Sequence, residues 1–94
     1  MPDAPPPKVC VRLPALFDAL FPGVERRLEV EAATVAELIE ALEARWPGMR
    51  DRICDTRPEI RRHINVFVDG RRVRLGAPLA PGADVFILTA ISGG

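Results

Sequence analysis

The sequence is poor in the side chains on which metal sites and nucleophilic catalysis depend. His63 is the only histidine, and Cys10 and Cys54 are the only cysteines. One imidazole and two widely separated thiols cannot complete a zinc site without a second chain, so we expect two free thiols that pack as small apolar side chains. The sequence also lacks a phosphate-binding loop, an HExxH motif and a GxSxG motif. We predict neither a metal site nor a catalytic residue in this chain.

Net charge, lysine and long apolar runs are missing as well. Thirteen basic and thirteen acidic side chains give a formal net charge of zero, and Lys8 is the only lysine. A nucleic-acid binder is usually basic, so we expect no nucleic acid among the partners. No apolar run approaches the ~18 residues of a membrane span, and residues 1–7 lack the basic start and apolar core of a secretory signal. We therefore expect no membrane association and a cytoplasmic location.

The residues that are present fit one small globular domain. The 94 residues are 48% hydrophobic and 28% charged, and this length leaves no room for a cleft between two domains. Residues 1–7 predict a proline-rich flexible tail, residues 8–90 the folded domain, and residues 91–94 a C-terminal tail.

Five segments have the alternation of apolar and polar residues that is typical of half-buried strands. They are residues 8–13, 26–31, 63–69, 71–75 and 84–90. The dipeptide Asp69-Gly70 predicts a two-residue hairpin turn between the third and fourth of them. Residues 15–23 predict a helical turn or a packed loop.

One main helix is predicted between the second and third strands. Thr34 and Glu37 form a capping box, in which the Thr34 hydroxyl accepts from the Glu37 N–H and the Glu37 carboxylate reaches back to Thr34. Pro47-Gly48 ends the helix. The apolar residues that share one face at helical spacing are Val35, Leu38, Ile39, Leu42 and Trp46. We interpret Trp46 as core packing rather than as a binding residue.

This order of elements predicts an α+β fold. A mixed sheet of about five strands would carry the one main helix on one face. The first two strands would form a hairpin, and the helix would cross over to the remaining strands. This arrangement is the β-grasp (ubiquitin-like) architecture.

The strongest functional signal is the pair Gly93-Gly94, a few residues after the last predicted strand. A carboxylate is a poor acyl electrophile and must be activated, for example as an acyl-adenylate, before sulfur or nitrogen can attack it. Glycine has no Cβ, so an extended Gly-Gly tail can pass through a narrow channel into another protein's ATP site. The alternative is a frayed end, where glycine costs nothing.

Five motifs along residues 8–94 carry a resemblance. They are Val11-Arg-Leu-Pro-Ala15, Thr34-Val-Ala-Glu-Leu-Ile39, Ile64-Asn-Val-Phe-Val-Asp-Gly70, Asp84-Val-Phe-Ile-Leu88 and Ile91-Ser-Gly-Gly94. Their order and spacing, together with the glycine pair, resemble the MoaD/ThiS family of ubiquitin-like sulfur carriers. The resemblance implies a β-grasp fold and a protein cosubstrate rather than an enzyme.

The resemblance also implies a role for the tail and two kinds of partner. An ATP-dependent adenylyltransferase of the ubiquitin-activating type would adenylate Gly94, which would then carry a thiocarboxylate at the end of a tail formed by Ile91, Ser92 and Gly93. The chain itself would bind no cofactor, because the partner uses the ATP. A sulfur-accepting synthase, or a large synthase subunit, would be the second partner.

Two departures from the simplest carriers leave the pathway open. Residues 52–62 are longer than in the shortest members and are more similar to the cysteine-biosynthesis carriers and the archaeal small modifiers, and Thr89-Ala90 replaces prolines common in molybdopterin carriers. The sulfur would enter molybdenum cofactor biosynthesis or cysteine biosynthesis. Two alternatives are a protein modifier conjugated through Gly94 and a non-covalent interaction domain. The single Lys8 favours a carrier over a builder of lysine-linked chains.

Strand parity predicts an apolar patch on the face of the sheet opposite the helix. Phe67, Phe86 and Leu88 alternate with residues that we expect to face the helix. Such a patch is typical of a partner interface, unless residues 15–23 or the N-terminal tail cover it.

Arginines predict a basic edge next to this patch. Arg71, Arg72 and Arg74 lie on one predicted strand. They would either contact an acidic surface of the activating enzyme or form a solvated hairpin that resists strand-to-strand aggregation.

Overall fold

In the computed structural model of the chain, residues 5–89 are described. These residues form β1 (Lys8–Arg12), α1 (Phe17–Leu20), β2 (Arg27–Glu31), α2 (Val35–Arg45), α3 (Met49–Ile53), β3 (Ile64–Val68), β4 (Arg71–Val73) and β5 (Asp84–Thr89). All five predicted strands and the main helix are confirmed, and α1 lies in the predicted helical turn. The predicted C-terminal tail lies outside the described residues.

The strands form one mixed sheet in the order β2-β1-β5-β3-β4. β1 pairs in parallel with β5, whereas the pairs β1–β2, β3–β5 and β3–β4 are antiparallel. At the β3–β4 turn, Asp69 has φ 50° and Gly70 has φ 87°. Two left-handed central residues are the signature of the type I′ hairpin that the sequence predicts. The α+β, β-grasp prediction is confirmed.

The helices pack on one face of this sheet. Buried side chains of α1, α2 and α3 join the inward-facing strand residues in a single core cluster, against which Trp46 also packs. The strand members of this cluster are Val9, Val11, Leu28, Val30, Ile64, Val66, Val85 and Ile87. Within residues 5–89, no helix combines the length and the hydropathy needed to cross a membrane.

The N-terminus of α2 differs from the prediction in one bond. The Thr34 hydroxyl accepts from the Glu37 N–H at 3.2 Å, but the Glu37 carboxylate accepts from the Ala33 N–H, at 3.1 Å, rather than from Thr34. The chain enters the helix from an extended bridge between Thr34 and Pro78. This entry presents the earlier amide to the carboxylate, so two N-terminal donors are still satisfied.

The short helix α3 was not predicted. Gly48 turns the chain between α2 and α3 with φ 99°. Glu43 on α2 accepts from the backbone N–H groups of Gly48 and Arg50, which lowers the pKa of its carboxyl. Because Met49 and Ile53 are fully buried, this five-residue helix is held by packing and by a side chain from another helix.

Candidate functional site

β5 leads toward the glycine pair and lies in the middle of the sheet. It pairs with β1 on one side and with β3 on the other. The predicted tail residues Ile91, Ser92, Gly93 and Gly94 lie beyond the described residues. The segment that precedes the tail is therefore held on both sides by neighbouring strands.

Alternation along β5 separates a buried face from an outer face. Val85 and Ile87 are fully buried, whereas Phe86 is half-buried and the Leu88 side chain is 42% exposed. Phe67 on β3 is also half-buried and lies directly opposite Phe86. The structure therefore brings the three predicted patch residues together on the face away from the helices.

A row of side chains crosses this outer face. Arg12 of β1 pairs with Phe86, Phe86 pairs with Phe67, and Phe67 pairs with Arg72 of β4. The Arg12 guanidinium carbon lies 4.8 Å from the centre of the Phe86 ring, which is a cation–π contact. We call Arg12, Phe67, Phe86, Leu88 and Arg72 the outer patch.

Arg12 is the patch residue that sequence reasoning missed. Its Nε atom is buried and has no hydrogen-bond partner among the described residues. The signal that could have found it is the alternation of β1, because Val11 faces the core and its neighbour must face outward. Alternation alone does not place Arg12 beside Phe86, because that contact also requires the pairing of β1 with β5.

No described helix covers the outer patch. Phe17 and Phe21, the large side chains of the segment after β1, are buried in the core on the helix side of the sheet. Their rings contact each other edge to face, with centroids 5.5 Å apart. These two aromatic side chains of residues 15–23 therefore complete the core and do not cover the outer patch.

The structure separates the predicted arginines. Arg72 lies beside Phe67 on the outer face, whereas Arg71 pairs with Val68 and points to the other face. Arg72 and Arg74 both line a groove at the β4 edge. The single basic edge predicted from the sequence is thus divided between two faces.

Comparison with known proteins decides the family. A family model described as the ThiS family matches residues 12–94. The chain belongs to the ThiS family. Among curated proteins it is 32% identical to small archaeal modifier protein 1 of Haloferax volcanii over 69 residues, or 72% of this chain and 79% of that one. It is 30% identical to the sulfur carrier protein CysO of Mycobacterium tuberculosis over 78 residues, which cover 77% of this chain and 84% of that one.

Solved structures agree with this membership. A chain of the Amycolatopsis orientalis BexX/CysO complex superposes with a TM-score of 0.81 at 32% identity, covering 92% of this chain and 99% of that one. Mycobacterium tuberculosis CysO superposes with a TM-score of 0.79 at 26% identity, covering 88% of this chain and 99% of that one. This ThiS-family chain is thus a β-grasp protein of the ubiquitin-like sulfur carrier and modifier type.

The part of this ThiS-family chain that the structure describes contains two free thiols and no cluster of metal ligands. Across residues 5–89, no three His, Cys, Asp or Glu side chains are grouped closely enough to hold a metal ion. Both cysteines are free, and burial raises the pKa of the Cys54 thiol. A thiol in that state is protonated at neutral pH and is a poor nucleophile. Cys54 packs in the core as predicted, whereas Cys10 is only half-buried.

One carboxylate makes several of the hydrogen bonds that order the long segment before β3. Asp55 accepts from the backbone N–H groups of Arg57 and Glu59, at 2.9 and 3.0 Å. It also accepts from the Arg57 guanidinium, at 2.5 and 3.0 Å. The guanidinium contact, followed by the backbone bond to Arg57, lowers the pKa of Asp55 to about 2. The departure from the simplest carriers is therefore a structured loop.

Acid should weaken this loop before it unfolds the domain. The folded pKa of Asp55, about 2, is below its usual value of 3.8, so its stabilising contribution is present above about pH 4 and is lost as the pH falls toward 2. We expect Asp55→Asn to lower the free energy of unfolding at pH 6 and to flatten its decline between pH 4 and 2. Urea denaturation at a series of pH values measures both effects.

Glu25→Gln is the matched control, since it removes an exposed carboxylate from the β1–β2 connection. Its pH profile should follow that of the unmodified chain. An Asp55→Asn profile parallel to that of the unmodified chain down to pH 2 would contradict the prediction.

Proposed function

We propose that this protein is a sulfur carrier whose Gly94 is converted to a thiocarboxylate. The observation that carries the proposal is a family match that extends through Gly94, the last residue of the matched range. Similarity to proteins named sulfur carriers supports the same proposal. The chain then acts as a protein cosubstrate and supplies no catalytic group of its own.

The proposed chemistry has two steps in the site of an activating enzyme of the ubiquitin-activating type. First, the Gly94 carboxylate attacks the α-phosphorus of ATP, pyrophosphate leaves, and an acyl-adenylate forms. Second, a sulfide sulfur attacks the acyl carbon and AMP leaves. The product is a terminal thiocarboxylate, an anion at neutral pH and a good sulfur nucleophile.

The contribution of this chain to these steps is to position the reacting carboxylate. β5 is fixed between two strands, so Thr89, the last described residue before the tail, has a defined position on the domain. Gly93 and Gly94 lack a Cβ, so the tail can adopt an extended path past close walls. The outer patch then holds the domain against the enzyme while the tail reaches the nucleotide.

We further propose that the outer patch binds both the activating enzyme and the protein that accepts the sulfur. A structurally similar chain belongs to a complex named BexX/CysO, which supports a synthase as the second partner. Similarity to CysO proteins supports the cysteine-type branch over the molybdopterin-type branch.

The experiment is reconstitution with intact-mass readout. The purified chain is incubated with ATP, a sulfide source and each candidate adenylyltransferase from its own genome. We expect a mass increase that equals the replacement of one oxygen by sulfur, located by fragmentation at Gly94. No such increase with any of these enzymes would overturn the proposal.

Conjugation to other proteins is the second candidate, favoured by the 32% identity to a small archaeal modifier protein. It shares the adenylation step and differs in the nucleophile, which is a lysine amine of a target. Recovery of an affinity-tagged chain under denaturing conditions separates the two, because only a modifier leaves isopeptide adducts.

Leu88→Asp should weaken binding to the activating enzyme by about tenfold or more. Leu88 is the most exposed apolar side chain of the outer patch. Truncating a residue that carries an interface costs more than ~1 kcal/mol, to which the aspartate adds an unpaired buried charge. Titration calorimetry measures the change.

Leu16→Asp is the matched control, since Leu16 is the other large exposed apolar side chain in residues 5–89 and is 56% exposed. Leu16 directly precedes α1 and is not part of the outer patch, so the affinity of this variant should match that of the unmodified chain. Equal losses for the two variants would remove the outer patch from the interface.

A further inference from the structure

A second surface lies along the β4 edge of the sheet. A groove of about 650 Å³ opens where residues 57–62 meet β3 and β4. Its floor is aliphatic and is formed by Ile60, Ile64, Val73 and Leu75. This volume falls within the range of ordinary binding pockets, which is about 300–1,000 Å³.

The rim of the groove is almost entirely cationic. Its arginines are Arg57, Arg61, Arg62, Arg72 and Arg74, whereas Glu59 is its one carboxylate. Two of these arginines are engaged locally: Arg57 bonds to Asp55 and Arg61 to a backbone carbonyl. The other three are exposed and make no ion pair within the described part of the chain. A chain of zero net charge thus concentrates free positive charge at one edge.

The groove also borders the part of β3 that lies beyond the end of β4. β3 runs from Ile64 to Val68, but β4 pairs only with its last three residues. After Val73 the chain turns toward α2, where the Leu75 carbonyl accepts from the Ala36 N–H. On the β4 side of the sheet, Ile64 and Asn65 have no strand partner among the described residues, and the Ile64 N–H donates to the Arg61 carbonyl instead. The groove is therefore open beside β3 beyond the end of β4, which leaves room for an extended segment.

We propose that this groove binds an extended acidic segment of a partner protein. The segment would lie along the groove beyond the end of β4, beside Ile64. Its alternate side chains would rest on the aliphatic floor, and its carboxylates would pair with Arg62 and Arg74. The groove shares Arg72 with the outer patch, but its aliphatic floor does not include Phe86 or Leu88. The proposal does not depend on the sulfur-carrier function.

A protein segment fits this groove better than a nucleic acid does. The floor is aliphatic, and no aromatic side chain lines the groove on which bases could stack. Carboxylates are the anions that such a segment supplies, and guanidinium groups bind them through paired hydrogen bonds.

The test uses a fluorescein-labelled peptide of about eight alternating glutamate and valine residues, titrated with the full chain and read by fluorescence anisotropy. We expect Arg62→Glu/Arg74→Glu to weaken binding by about tenfold or more, because each reversal replaces an attraction by a repulsion. The control Arg27→Glu/Arg45→Glu has the same charge change away from the groove and should stay within about twofold. Thermal unfolding verifies that each variant is folded.

Amide chemical shifts locate the peptide. Shifts at Ile60 and Leu75 that exceed those at Phe86 and Leu88 would support the groove. The proposal is overturned if the peptide does not bind, if both double variants lose equal affinity, or if the largest shifts fall on Phe86 and Leu88. A single-stranded oligonucleotide of equal charge that binds more tightly at the same amides would also overturn it, in favour of a nucleic-acid site.

Discussion

Deletion of Gly94 should abolish thiocarboxylate formation while the free energy of unfolding stays the same. The shortened chain still ends in a glycine carboxylate, but that group lies one residue, about 3.3–3.6 Å, short of its place. Displacements of ~1 Å can cost about a hundredfold in rate, because reacting atoms must approach to within about 3.5 Å. The described core lies within residues 9–87, so the deletion leaves it intact. Intact mass after reconstitution gives the rate, and urea denaturation gives the stability.

Ser92→Ala is the control for this deletion, since it changes the tail without changing its length. Its thiocarboxylation rate should remain close to that of the unmodified chain. Addition of one alanine after Gly94 should abolish the reaction as the deletion does. A Gly94-deleted chain that is thiocarboxylated at the unmodified rate, or that keeps full function in cells, would refute the carrier proposal and favour a non-covalent interaction domain.

Ile87→Ala and Leu88→Ala should differ widely although they are neighbours on β5. Ile87 is fully buried, so its truncation should lower the free energy of unfolding by about 2–5 kcal/mol. Leu88 is partly exposed on the other face, and its truncation should change stability by less than about 1 kcal/mol. Urea denaturation, with unchanged m-values as the check on two-state unfolding, measures the difference.

The same pair of variants tests the register of the sheet. A slip of one residue would exchange the faces of the two side chains, and the larger loss would then fall on Leu88. Losses of similar size would mean that the outer patch is covered in the free protein. In binding measurements the order should reverse: Leu88→Ala weakens the activating complex, and a folded Ile87→Ala chain binds normally.

Local patterns predicted most of the elements because each is specified within a few residues. The strands follow from a period of two, the β3–β4 turn from Asp69-Gly70, and the start of α2 from Thr34 and Glu37. The sequence also predicts which side chains of β5 face the helices, because a strand with one buried face must alternate strictly. The same alternation predicted that Phe67, Phe86 and Leu88 share a face.

Features made by distant contacts could not be predicted. α3 spans only five residues, which is too short for a helical period, and its amides are satisfied by Glu43 of another helix. Arg12 joined the candidate site only through the parallel pairing of β1 with β5. The capping bond from Glu37 shifted to Ala33 because a bridge to Pro78 sets how the chain enters the helix.

The sequence by itself determined the fold class, the family and the glycine pair on which the proposed chemistry depends, because alternation, capping and motif order are properties of neighbouring residues. Only the tertiary structure decided which arginine meets which phenylalanine, and that Arg71 and Arg72 serve different faces. It also decided that residues 57–62 form a cationic groove against β3 and β4. The physical reason is that a surface is assembled by strand order and register, and these depend on contacts between residues far apart in the chain.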